Sequence, residues 1–455
     1  MNPTRSPRHR VAILGAGFGG MAAARSLSRL PVDVTLVDQH DYQTFQPLLY
    51  QVATAVLPAE NAAHPLRSLL RGAKNVGVRR GRVERFELDD RRLRLDGGGT
   101  IEYDTLVVAA GSTYGDFGVP GVSHHAFVLQ SLLGAVGIRN HVLRQFESAA
   151  LDPAGADDGR LDIVIAGAGP TGVEMAGSLQ ELFSVLRRDH PQLAEVTARI
   201  VMVEPAGSVL PQYGPRARRY AERELRRRGV ELRLGTGVAR AEADHVELTD
   251  GTCIATRTLV WAAGVRASAL GEQLGAPLGR GRRVAVTENL HLESRPEVFV
   301  IGDMADAPGP LPHPQVAQVA SQMGAHVGRV LRARLSGANA PPWRYHDKGQ
   351  MAVIGRGAGV VELSRRYGGL RFGGFMGWLA WLFVHLVYLP GPLNRLAALS
   401  AWLHDAFTRE RAARLILERG SPELGRGSRW SDPASPVSDG SGRHNPTGED
   451  LRRAA

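Results

Sequence analysis

One glycine pattern occurs twice in the chain and restricts its folding more than any other feature. VAILGAGFGG at 11–20 places Gly15, Gly17 and Gly20 behind a short apolar run, and LDIVIAGAGPTGVE at 161–174 repeats the spacing at Gly167, Gly169 and Gly172. In a GxGxxG turn the first glycine lets a strand bend sharply. The second lets backbone approach a pyrophosphate, and the third lets the following helix pack on the strand. The helix N-terminus then points its free N–H groups at the phosphates. Two dinucleotide-binding βαβ units are expected.

Each unit carries an acidic residue where a ribose would lie. Val11–Leu14 reads as a strand, Gly17–Leu30 as a helix and Val32–Val37 as a second strand ending at Asp38, 23 residues after Gly15, close to the spacing for a ribose-binding carboxylate. In the second unit Pro170 suits a helix start, the helix is expected to reach Leu186, and a strand over Arg199–Val203 delivers Glu204. Glu204 lies 37 residues beyond Gly167, so an extended helix or an inserted turn at 189–195 must absorb the excess. A carboxylate there bonds both ribose hydroxyls and repels a 2′-phosphate, which favours NADH over NADPH. The competing reading is a solvated acidic strand end.

Further small-residue turns follow apolar strands. YDTLVVAAGS leads into Gly111, LVWAAG into Gly264, and PEVFVIGDMA into Gly302 and Asp303. Glycine at such places suggests close approach of backbone to a ligand; otherwise these are ordinary turns. With an FAD-type first domain, Asp303 would hold the ribityl or phosphate region. A helix starting near Pro314 puts Gln318 and Gln322 on one face, either as solvated amides or as ligands for a carbonyl substrate. In the second case its positive end faces the flavin pyrimidine. Asp41–Pro58 fits neither helix nor strand period and is expected to cover a cofactor. Residues 149–160 have linker composition.

Charge and hydropathy single out the C-terminal part. The net charge of +10 comes almost wholly from arginine, since Lys74 and Lys348 are the only lysines. Residues 346–419 hold ten Lys and Arg against five Asp and Glu, and this is also the most apolar stretch. Phe372–Leu389 has 18 residues without Asp, Glu, Lys or Arg, about 27 Å as a helix against a hydrocarbon core of about 30 Å. It stops at Pro390-Gly391-Pro392. Leu396, Leu399, Leu403, Phe407 and Leu417 then recur at helical spacing, with Arg409, Arg411 and Arg414 available to a polar face, as in an interfacial helix. Trp378, Trp381, Tyr388 and Trp402 suit the headgroup level. A surface-lying anchor, a true span or a soluble dimer interface satisfies this pattern. No signal-peptide core precedes Gly15, and a cytoplasmic location at the membrane face is expected, with no nucleic acid as partner. The single cysteine, Cys253, excludes a paired-thiol redox centre. No metal site is expected.

Together these motifs resemble the two-dinucleotide-binding-domain flavoproteins, and more closely the type II NADH:quinone oxidoreductases. The more specific markers are FQPLLYQVAT at 45–54, AQVASQ at 317–322 and GQMAVIGR at 349–356 before the apolar segment. The resemblance implies an α/β fold of two Rossmann-like domains, one for FAD and one for NADH, with a C-terminal membrane-associating helical segment. It implies hydride transfer from NADH to FAD, then two-electron reduction of a membrane quinone, ubiquinone or menaquinone, without proton pumping. Gln318 and Gln322 would contact quinone, Glu174 would lie at the junction of NADH and quinone, and Asp303 would hold FAD. The expected division is an N-terminal arm at 1–10, FAD-binding parts at 11–148 and 285–345, a linker at 149–160, the NADH-binding domain at 161–284, a quinone and membrane segment at 346–419, and a disordered tail at 420–455. A homodimer is left open. Two other readings compete: a soluble NAD(P)H-dependent reductase of the ferredoxin-reductase kind, and a non-catalytic NADH-sensing flavoprotein. The first leaves the greasy, basic C-terminus unexplained; the second, as a redox sensor or a membrane-bound partner, is compatible with the binding motifs.

Overall fold

The computed structural model describes residues 8–156, 158–309 and 312–417; the expected tail at 420–455 and most of the N-terminal arm lie outside these. The first glycine turn joins β1 (His9–Leu14) to α1 (Phe18–Leu27), which leads to β2 (Val32–Asp38). The stretch that fits neither period, Asp41–Pro58, contains the short helix α2 (Leu49–Ala53) and is followed by β3 (Val76–Arg80) and β4 (Thr105–Val108). The chain then crosses into a second sheet through β5 (Ala126–Val128), α3 (Leu132–Leu151), β6 (Ile163–Ala166), α4 (Pro170–Asp189), β7 (Ile200–Glu204), β8 (Val230–Leu234) and β9 (Thr258–Trp261). It returns with β10 (Val298–Val300) and α5 (Ala317–Leu335). Three antiparallel strands, β11 (Gln350–Gly355), β12 (Ala358–Glu362) and β13 (Arg371–Gly373), precede α6 (Gly374–Tyr388) and α7 (Pro392–Thr408).

The two sheets share one plan. The first runs β10-β4-β1-β2-β3 and the second β5-β9-β6-β7-β8, with every neighbouring pair parallel. In each, the glycine-turn strand is central, so its C-terminal end opens where the strand order reverses, the place at which doubly wound sheets bind ligands. Burial on both faces explains why these strands read as continuous apolar runs. The antiparallel pair Ser112–Tyr114 and Val265–Ala267 links the halves.

One strand within 11–148 belongs to the second sheet. Ala126–Val128 pairs with Thr258–Trp261 of the second sheet, inside the stretch 11–148 expected for the FAD-binding part, and α3 continues to Leu151 into the expected linker. Pairing across more than a hundred residues leaves no local mark in the sequence. The excess before Glu204 is absorbed as anticipated, because α4 runs to Asp189 and a 3₁₀ turn follows at Pro191–Leu193.

Close helix contacts are made through glycines. A Cβ at Gly324 of α5 would lie 2.1 Å from the Gly19 carbonyl oxygen of α1, and one at Gly177 of α4 would lie 2.0 Å from the Ile354 oxygen of β11. A helix-interior glycine costs roughly 0.5–1 kcal/mol, and bare backbone is what allows α4 to rest on β11.

Two expectations about the C-terminal segment are corrected. Trp381 and Trp402 are 1% and 6% exposed and belong to the core, not to a headgroup belt. Trp381 stacks on His385 at 3.7 Å and meets Tyr50 edge-on, while the Trp402 indole N–H donates to Gln51 Oε1 at 2.7 Å. Arg411 is likewise not on a polar helix face: α7 ends at Thr408, and the Arg411 side chain is buried against Glu181. Phe375, Phe383, Leu396, Leu403 and Phe407 stand exposed on the outer side of α6 and α7. Among the described residues, no helix is long and apolar enough to cross a membrane; α6 has 15 residues, about 22 Å.

Replacing Gly177 by valine drives a side chain into the β11 backbone. The variant is expected to lose roughly 1–3 kcal/mol, seen as a lowered Tm in thermal melts, and an unchanged melt would contradict this packing.

Candidate functional site

The two glycine turns are copies in atomic detail. Gly15 and Gly167 have φ of +98° and +100°, and a Cβ at Gly20 or Gly172 would fall 1.8 or 2.0 Å from the oxygen of its own first glycine. The Gly15 N–H donates to the Val37 oxygen and the Gly167 N–H to the Val203 oxygen, both at 2.8 Å. A Cβ on either first glycine would strike the oxygen of Ala109 or Ala262, the residue just after β4 or β9. The glycines are thus demanded by backbone approach on two sides.

Asp38 and Glu204 close these turns in the same manner. Asp38 accepts from the Ala16 N–H at 2.7 Å and the His40 N–H at 2.8 Å. Glu204 accepts from the Ala168 N–H at 2.7 Å and the Ala206 N–H at 2.9 Å. Burial raises the Asp38 pKa, against the pull of these two N–H groups. A carboxylate oxygen has two lone pairs, so each acid keeps acceptor capacity for a ribose hydroxyl after fixing its loop.

The helices that follow start without side-chain caps at Gly17 and Gly169, and a Cβ at either glycine would meet nothing within 4 Å. Uncapped N–H groups facing open space suit an anionic group at each turn, such as a dinucleotide pyrophosphate would supply. On the first side Gly302 has φ of +70°, Gly111 has φ of +71°, and the Ser112 hydroxyl donates to Asp303 Oδ2 at 2.6 Å. Burial raises the Asp303 pKa and the Ser112 bond opposes it. On the second side Gly264 has φ of +147°, with the Phe117 ring against it.

The two glutamines of α5 make a feature that their spacing did not announce. Gln318 donates to the Gly349 oxygen at 3.1 Å and accepts from the Lys348 N–H at 3.2 Å. Gln322 donates to the His346 oxygen and accepts from its N–H, both at 2.9 Å. Each side-chain amide therefore pairs with backbone, pinning 346–349 along the helix. One N–H and one lone pair remain on each for a ligand. Lys348 Nζ in turn donates to the Tyr388 hydroxyl at 3.0 Å, so α5, this segment and the end of α6 are joined.

Glu174 stands apart from the glycine turns, one turn into α4, where it lines a cavity of about 40 Å³ with Tyr50, Gln51, Ser178 and Glu181. The Val353 N–H donates to its Oε1 at 3.3 Å, and the Trp381 indole adds a second pull toward the charged form. Burial pushes its pKa up to about 8, and those two donors hold it from rising further. Tyr50, Gln51, Trp381 and Glu181 were missed from sequence. The signal that could have found Glu181 is the i, i+4, i+7 row of Glu174, Ser178 and Glu181 on one helix face.

Comparison with known proteins agrees with this geometry. Residues 9–324 match the model of the pyridine nucleotide-disulphide oxidoreductase family. Two type II NADH:quinone oxidoreductases of Mycobacterium tuberculosis are each 38% identical to the chain, over 87% of it and 86% of one relative, and over 88% of it and 89% of the other. A type II NADH:quinone oxidoreductase of Staphylococcus aureus is 30% identical, over 78% of this chain and 89% of its own. Among solved structures, NDH2 of Plasmodium falciparum in complex with NADH superposes with a TM-score of 0.82 at 16% identity, covering 90% of this chain and 100% of that one. The sulfide:quinone oxidoreductase of Aquifex aeolicus gives 0.68 at 16% identity, covering 88% and 96%. Twin nucleotide turns in two sheets of one plan, and the extent of this likeness, place the chain in the type II NADH:quinone oxidoreductase family.

Proposed function

We propose that the chain is an FAD-dependent NADH:quinone oxidoreductase that works at a membrane surface. The observation that carries this reading is the pair of glycine turns, each closed by a carboxylate, in a chain 38% identical to type II NADH:quinone oxidoreductases over most of its length. Bound FAD would supply the chemistry the side chains lack, acceptance of a hydride from NADH and delivery of two electrons onward.

The protein's own part is binding, orientation and proton handling. The turn at Gly15, Gly17 and Gly20, with Asp38 beyond it, binds one dinucleotide, and Asp303 and Gly302 with Gly111 and Ser112 hold its middle. The turn at Gly167, Gly169 and Gly172, with Glu204 on the ribose and Gly264 near the nicotinamide, binds the other. Gln318 and Gln322 set 346–349 at the quinone site and present their remaining amide groups to the quinone. Glu174 sits between the substrates and holds a proton below about pH 8, available to an oxygen of the quinone.

The exposed apolar row of α6 and α7 supports docking on a bilayer with the chain lying on it. The outer residues Leu396, Leu403 and Phe407 recur at helical spacing, while Ala398 and Trp402 face inward. The quinone then arrives from the hydrocarbon without entering water. We place this surface at the cytoplasmic face, aided by arginine attraction to anionic lipid. The test is purified flavin-loaded protein with NADH: fast, sustained oxidation is expected only when a quinone analogue is supplied, and stoichiometric bleaching without turnover would refute the reading.

Three measurements probe the assignments. Glu204→Ala should narrow the NADH over NADPH preference about tenfold or more, the scale of a lost charge-assisted hydrogen bond and a lost repulsion; an unchanged ratio of kcat/KM values removes Glu204 from the ribose site. For Glu174, the protonated form is the donor, so quinone reduction should fall as pH rises through about 8. Glu174→Gln should abolish that limb while leaving NADH oxidation by the flavin in place, and a limb that persists in the variant contradicts the role. Leu403→Glu with Phe407→Glu should release the protein from vesicles of mixed neutral and anionic lipid in a flotation assay, without changing its Tm; equal flotation would argue against the docking face.

A further inference from the structure

Reduction of a quinone by NADH takes up one proton from water in every turnover. The hydride brings two electrons and one proton, and the quinol needs two of each. We propose that the cavity behind Glu174 is a water-filled inlet that carries this proton from solvent, past Asp405 and Glu181, to the Glu174 carboxyl. The proposal rests on the quinone-reducing reading and adds the route by which the donor is recharged.

The geometry of α4 builds the route. Glu174, Ser178 and Glu181 follow one another on a single helix face, and all three line the cavity together with Arg356, Asp405 and Arg411. A volume of about 40 Å³ holds roughly three waters. The lining also needs them: Arg356 Nε is buried without a hydrogen-bond partner, and Arg411 Nε, on a side chain 1% exposed, has no hydrogen bond and only the longer ion-pair contact to Asp405 Oδ1 at 3.5 Å. An apolar cavity of this size would stay dry, whereas orphaned donors favour occupancy.

The far end is charged and reaches solvent. Glu181 takes the Arg411 guanidinium at 2.6 Å, the Arg228 guanidinium at 2.9 Å and the Arg356 N–H at 2.6 Å. Asp405 takes the Arg356 guanidinium at 2.9 Å. The side chains of Glu181, Asp405 and Arg356 keep 18%, 15% and 24% exposure. On α7, Asp405 continues the inward row of Ala398 and Trp402, roughly opposite Leu396, so this end is turned away from the face that would meet lipid. A proton and a quinone thereby reach the site from different sides.

The groups around Glu174 leave it as the acceptor at the inner end. Tyr50 from α2 and Tyr213 from the loop after β7 both have their hydroxyl pKa raised by burial. His385, behind Trp381, is pushed down to about 4 by burial and stays neutral, with its Nδ1 bonded to the Trp381 oxygen. In the step itself the Glu174 O–H bond breaks as an O–H bond forms on the quinone oxygen. A hydronium entering through the cavity waters then restores the Glu174 proton.

The test uses flavin-loaded holoenzyme. Val56 lines the cavity, and Val56→Phe fills it with apolar bulk while every charge is kept; Asp405→Asn alters only the mouth. With Val56→Phe the quinone half-reaction at pH 8.5 should slow on the order of tenfold, with the NADH half-reaction unchanged. Asp405→Asn should show a smaller slowing that added formate restores, whereas Val56→Phe should resist that rescue. An independent readout is the infrared C=O band of Glu174, identified against Glu174→Gln: on mixing with D₂O its shift should be fast in the wild type and on the order of tenfold slower in Val56→Phe. Slow exchange in the wild type, or equal quinone half-reactions in wild type and both variants, overturns the inlet. A wild-type enzyme that exchanges fast but does not reduce quinone refutes the quinone reading, and the proposal falls with it.

Discussion

A carboxylate that ties a strand end to the glycine turn beside it is the constraint on which both halves of this protein rest. Asp38 and Glu204 each accept from the backbone N–H two residues before the second unit's helix start or its equivalent in the first, at the same 2.7 Å. The bond fixes the loop, leaves the helix N–H groups unspent, and holds the acid beside the turn with acceptor capacity to spare. Without it the glycines, chosen for close backbone approach, would leave the turn with too many conformations to hold a pyrophosphate. The repetition of distances between two stretches with different side chains shows that the geometry is set by backbone contacts.

The rest of the chain joins these halves to the C-terminal segment. Asp41–Pro58 is expected from sequence to cover a cofactor, and the structure places it as a wedge of core: Phe45, Leu48, Leu49 and Val52 are buried, Tyr50 meets Trp381, and Gln51 receives Trp402. Arg411 ties the end of the segment to α4 through Glu181. Breaking such a buried pair costs about 3–5 kcal/mol, because an unpaired charge would remain. The two C-terminal helices are therefore bolted onto the element that carries Glu174.

Legibility from sequence followed the range of the interactions. The turns, the acids at the two strand ends, the long α4, the strand before Asp303 and the helical spacing of Gln318 and Gln322 were readable because each depends on neighbours within a few residues. The destination of Ala126–Val128 was not, since it pairs with a strand 133 residues later. The aromatic residues of α6 and α7 misled for a related reason. Each helix has an apolar row facing inward and another facing out, and periodicity alone does not say which row carries Trp381 and Trp402. Arg411 read as a surface charge because its partner Glu181 is distant in sequence.

The amino-acid order by itself determined the family of solutions: two parallel βαβ units with dinucleotide turns, an acid after each, and a greasy basic end. Local φ requirements and apolar periodicity suffice for that. Only the tertiary structure decided that the glutamine amides are paired with 346–349, that the Val353 N–H donates to Glu174, and that Glu174, Ser178, Glu181 and Asp405 share one cavity. These features come from segments brought together over long loops. Burial, which raises Glu174 toward neutral pH, belongs to the packed molecule and to no stretch of its sequence.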